Sequence, residues 1–91
     1  MEFEWDRAKA AANKKKHRVT FGEASTIWLD WNRIEAPDEG HSEDEERQIG
    51  IGISARFRLL TVVFSKRHET IRIISARRAN QAETRRYARQ G

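Results

Sequence analysis

The stretch Ile71-Arg72-Ile73-Ile74-Ser75-Ala76-Arg77-Arg78-Ala79, with Glu83 and Tyr87 close behind it, decides how this chain reads. Its β-branched run suits a buried strand, yet one arginine lies inside that run and two close it. Arginine is seldom buried without a partner, so a small domain that keeps such residues in a strand has a use for them. A guanidinium presents a planar fork of donors that matches the multi-oxygen charge of a phosphate. Strict alternation along the strand places Arg72, Ile74 and Ala76 on one face and Ile71, Ile73 and Ser75 on the other.

Upstream of this strand the period stays close to two. Phe57 to Ser65 is an apolar strand carrying Arg58, on a face with Leu60, Val62 and Phe64. Before it, Arg47, Ile49, Ile51 and Ile53 share one face of another strand, with Gln48, Gly50 and Gly52 on the reverse. Arg33 to Ala36 is a fourth candidate strand, closed by Pro37, and Asp38 to Asp44 reads as an acidic loop. The first third is different. Phe3-Glu4-Trp5 can open the chain as a short strand, and Asp6 sits at the N-cap position before an alanine-rich helix ending near His17. Thr20 precedes Glu23 by three residues, the capping-box spacing, before Ala24, Ile27 and Trp28 at helical spacing. Downstream, Asn80 can cap a closing helix over residues 81–90. The expected order is β-α-α-β-β-β-β-α: a single α+β domain over residues 1–91, with an antiparallel sheet packed against helices.

Composition limits the function classes. The 18 basic residues exceed the 14 acids, and six of those acids crowd into Asp38 to Glu46. Outside that segment the excess of positive charge is therefore ten. Lys66 to Gly91 alone has eight basic residues against two acids, which favours a polyanion as partner, nucleic acid ahead of membrane. With no cysteine there is neither a disulfide framework nor a thiolate metal site. No apolar run approaches the roughly 18 residues needed to span a bilayer, and residues 1–4 lack the features of a signal peptide, so the expected location is cytoplasmic. His17, His41 and His68 are scattered, without a paired-ligand spacing, and no metal or other cofactor is expected.

Glu83 and Tyr87 are four apart and share a face of the closing helix. If Arg58 and Arg72 lay near the same end of the sheet they would form a basic floor, with Arg77 and Arg78 at its rim. Such a groove suits RNA cleavage without a metal: a base takes the 2′-hydroxyl proton, an acid protonates the leaving 5′-oxygen, and arginines neutralise the charge on phosphorus. On composition alone a plainer reading carries more weight, namely an Arg–Glu ion-pair network joining strand and helix. A non-catalytic nucleic-acid-binding or regulatory module is the alternative function.

Three spaced motifs then resemble one family. Phe3-Glu4-Trp5-Asp6 with Lys9, Asn13, Lys16-His17, Val19 and Phe21 resembles the opening of the BrnT toxins. His41-Ser42-Glu43 with Glu45-Glu46-Arg47 and Ile51-Gly52 is similar to that family's middle motif, and Arg72 to Ala79 with Glu83 and Tyr87 to its C-terminal signature. The resemblance implies a RelE-like fold and a ribonuclease toxin that halts translation. It also implies a ribbon-helix-helix antitoxin (BrnA-like) as partner, forming a heterotetramer around an antitoxin dimer, with operator DNA bound only through the antitoxin. The candidate catalytic residues on this reading are Arg72, Arg77, Arg78, Glu83 and Tyr87, with Arg58, Lys9 and His17 as candidate RNA contacts. Two positions depart from the family pattern: Thr84 stands where an arginine often follows the glutamate, and Arg18 where a helix end prefers glycine.

Overall fold

The computed structural model describes residues 1–38 and 46–90, so most of the acidic segment lies outside the described residues. The elements are β1 (Glu2–Glu4), α1 (Arg7–His17), α2 (Phe21–Ser25), a 3-10 turn (Thr26–Leu29), β2 (Ile34–Pro37), β3 (Arg47–Ile53), β4 (Leu59–Arg67), β5 (Thr70–Arg78) and α3 (Gln81–Arg89). They follow the expected order. Local capping explains the helix starts: Asp6 accepts from the Lys9 amide, Thr20 from the Glu23 amide, and Asn80 from the Glu83 amide. Arg18 ends α1 with φ 58, the left-handed position a glycine would fill without strain.

The five strands form one sheet in the order β1-β5-β4-β3-β2. Strands β2 to β5 make the expected antiparallel meander, and β1 adds a parallel edge through Glu2 to Glu4 alongside Thr70 to Arg72. Helices α1 and α2 and the 3-10 turn cover one face. There Val19, Phe21, Ala24 and Ile27 meet Leu60, Val62, Phe64, Ile71, Ile73 and Ala76 in a single buried cluster. Trp28 stacks edge-on against Phe3 and Phe64 at its margin. The glycines of β3 make this close approach possible: a Cβ at Gly50 would sit 3.2 Å from Ile27, and one at Gly52 would sit 3.1 Å from Ile27 and from Arg33.

The edge of β5 beyond β1 is closed by a side chain. Buried Asn13 donates to the carbonyls of Val19 and Ala76, and its own oxygen accepts from the Ala76 amide, taking the place of a neighbouring strand. Helix α3 is not on the α1–α2 side. It crosses the opposite face, where Ile51 is fully buried and Thr61 bonds to Glu83.

Candidate functional site

Strand β5 departs from strict alternation. Val63 pairs with Ser75 but Phe64 pairs with Ile73, so Ile74 is an extra residue, a β-bulge. The bulge corrects the expected faces: Ala76 joins Ile71 and Ile73 in the core, and Arg72 and Arg77 emerge together on the α3 side. Without it, two residues five apart would point in opposite directions. Ser65 pairs with Arg72 and Thr61 with Arg77, which sets the two arginines about 13 Å apart at about 3.3 Å per residue.

At one end of this face Glu83 closes on Arg77. Arg77 Nη1 and Nη2 donate to the two carboxylate oxygens at 2.7 and 2.8 Å, a bidentate pair. Glu83 also accepts from the Thr61 hydroxyl and the Asn80 amide, completing the capping box. The Arg77 guanidinium, helped by these two further donors, holds the Glu83 carboxyl down to about 2 despite the opposing effect of burial. Arg77 is pushed up in turn, chiefly by its bond to Glu83. One helical turn on, Tyr87 donates to Asp30 Oδ2 at 2.5 Å; burial and that bond push the phenol up to about 12. Asp30 also accepts from the amides of Asn32 and Ile53, and the Gln90 side chain donates to the Asn32 carbonyl, so the loop before β2 pins the C-terminal turn of α3.

Arg72 lies at the far end, donating at 2.8 Å to Glu4 on β1. Arg78 is exposed, and its carbonyl accepts from Arg77. Arg58 does not share a floor with Arg72. It precedes β4 at the other end of the strand, on the core side, and its guanidinium closes on Glu23 and the Arg18 carbonyl. Bonding to Arg58, with further help from Ser54, lowers the Glu23 carboxyl. Lys9 is exposed and His17 half-buried on α1, also away from the arginine face. Thr84 turns back to the Asn80 carbonyl. Among the described residues an Arg–Glu pair thus ties the sheet to a helix on each face, Arg77–Glu83 on one and Arg58–Glu23 on the other.

Sequence reasoning missed Thr61 and Asp30, and gave Asn13 no role beyond its place in the opening motif. The first two have no local signal, because their partners Glu83 and Tyr87 lie 22 and 57 residues away. Asn13 carried one: a lone amide among alanines and lysines on a helix. Trp31 is 97 % exposed. Among the described residues no three His, Asp or Glu side chains converge as a metal site, and no helix is long and apolar enough to cross a membrane.

No curated protein matches the chain. Among solved structures it is similar to the Brucella abortus ribonuclease toxin BrnT, with a TM-score of 0.68 and 24 % identity. The alignment covers 89 % of this chain and 99 % of that one. The mixed α+β architecture is thus shared. Residues 5–83 match the profile of the family described as ribonuclease toxin, BrnT, of type II toxin-antitoxin systems. That match takes in the capped first helix, strands β2 to β5 and the Arg77–Glu83 pair, and the chain belongs to the BrnT family of ribonuclease toxins.

Proposed function

We propose that the chain cleaves RNA as a metal-independent endoribonuclease, inhibits translation by doing so, and is silenced by a ribbon-helix-helix antitoxin. The observation that carries this reading is the bulge in β5, which turns Arg72 and Arg77 to one face beside Glu83. A phosphate at Arg77 competes with Glu83 for the guanidinium. As Arg77 turns to the phosphate, Glu83 loses its strongest donor while remaining partly desolvated, and its proton affinity rises. The carboxylate then accepts the 2′-hydroxyl proton, the 2′-oxygen attacks phosphorus, and the bond to the 5′-oxygen breaks, leaving a 2′,3′-cyclic phosphate. Tyr87, whose hydroxyl keeps its proton at neutral pH, supplies the proton to the leaving 5′-oxygen on release from Asp30. Arg77 neutralises the charge on the reacting phosphate; Arg72 lies too far along the same face to reach it, and Arg78, paired with core-facing Leu60, leaves the strand on the reverse side. Arg58 has no part in this scheme, and Lys9 and His17 are outlying contacts for a longer RNA.

The antitoxin, as a dimer carrying two toxin chains, would cover the arginine face and bind operator DNA through its own ribbon. Expression of the chain alone should arrest growth with loss of RNA integrity, and the purified protein should cut RNA in EDTA. Intact RNA in both assays sinks the reading. A second reading, RNA binding without scission, draws on the four donors that saturate Glu83 and on the Tyr87–Asp30 bond. Salt-sensitive RNA binding that leaves the strand whole, unchanged by Glu83→Gln, would favour it.

A further inference from the structure

The face that carries Arg77 holds a second cluster at the other end of β4. Ser65 pairs with Arg47 on β3 and with Arg72 on β5, so its hydroxyl lies in one cross-strand row between two arginines. Ser65 is 3 % exposed, and among the described residues its buried Oγ has no hydrogen-bond partner. An orphaned buried hydroxyl is a liability to the fold and asks for an explanation. A hydroxyl can donate as well as accept, and between two guanidiniums the partner that suits both it and them is an acceptor such as a phosphate oxygen. Among the described residues Arg72 donates to Glu4 and lies within electrostatic reach of Asp6; the Glu4 side chain is half-exposed, so that pair is weakly held and readily exchanged. Between this row and the Arg77 row, Ala36, Ile49 and Val63 present half-buried apolar side chains on the same face, a floor on which an unstacked base can lie.

We infer that Arg47, Ser65 and Arg72 form a second phosphate subsite for the backbone of single-stranded RNA, about 13 Å from the phosphate at Arg77. The inference rests on the ribonuclease reading and extends it: the groove selects a strand long enough to place phosphates at both ends with a base between them. Binding transfers the Arg72 guanidinium from Glu4 to the phosphate, and Ser65 Oγ gains the acceptor it lacks.

The test uses fluorescently labelled 2′-O-methyl oligonucleotides, which cannot be cut, in a length series from the dinucleotide upward, with affinity read by anisotropy. Wild-type affinity should step up at the length that first reaches both subsites. Ser65→Ala should reduce that step by about tenfold. Arg72→Ala should abolish it and lower the salt slope by about 0.7. Arg77→Ala should weaken binding at every length. Ser65→Ala removes only an unpartnered hydroxyl, so it should melt no lower than wild type; a lower melting temperature, or a full affinity step, overturns the subsite. Absence of binding by the wild type at any length overturns the RNA reading itself.

Discussion

Replacing Glu83 with Gln tests both the cohesion of the arginine face and its chemistry. The amide keeps the shape and one acceptor oxygen, but it carries no charge and cannot accept both Arg77 donors in the bidentate pair. The carboxyl lies near 2 in the folded protein against an ordinary 4.5. That difference sets an upper limit of about 3 kcal/mol. The Arg77 side chain is 40 % exposed, so solvent screens the pair, and ~1–2 kcal/mol is the expected loss. For a domain of this size that corresponds to about 5–12 °C in melting temperature. A carboxyl depressed in the folded state stabilises at pH above its unfolded value, and the benefit drains away as pH falls through the folded value. The gap between wild type and Glu83→Gln should therefore be constant above about pH 5, shrink from 4.5 downward, and close near 2. Thermal denaturation of both proteins across that range measures it. A gap that ignores pH, or no gap at neutral pH, would refute the ion-pair account. The same variant should also cut RNA far more slowly, because an amide accepts no proton.

Asn13→Ala strips three buried hydrogen bonds and orphans both backbone groups of Ala76, so a loss of ~2–4 kcal/mol is expected in urea unfolding. Asn13→Asp should fare no better, since a carboxylate cannot donate to the carbonyls of Val19 and Ala76. On the core side, Glu23→Gln breaks a pair whose side chains are only 5 % and 17 % exposed; it should cost ~2–3 kcal/mol while leaving RNA binding intact. Tyr87→Phe releases Asp30 and should lower stability by about 1 kcal/mol. The phenol is raised in the folded state, so the wild-type advantage should disappear as pH climbs from 10 to about 12, as alkaline melts will show. Glu4→Gln frees Arg72 and should tighten RNA binding a few-fold at low salt.

Much of the fold is written in short-range signals. Asp6, Thr20 and Asn80 each satisfy an amide three residues on, so the helix starts follow from neighbours in the chain alone. The span of β3, its two-residue period and the pairing of Glu83 with Tyr87 on one helical face are equally local. The type of chemistry also follows from residue identity: a basic chain with strand arginines and no cysteine suits phosphate. What alternation alone misassigned is the face of Ala76, and with it the place of Arg77 beside Arg72. The bulge at Ile74 arises because Ile73 and Ala76 both fill the core against α1 and α2, and a regular strand cannot turn residues three apart to the same side. Arg58 shows the converse. Its face was legible, but its partner Glu23, 35 residues away, was not, and that partner takes it out of any groove. Asn13 standing in for a strand, β1 joining β5 in parallel and α3 crossing to the open face likewise depend on contacts between distant segments. From sequence alone the chain is a capped α+β domain whose basic residues suit a phosphate partner; tertiary packing decides which arginines share a face, because side-chain direction in a strand reverses with a single inserted residue.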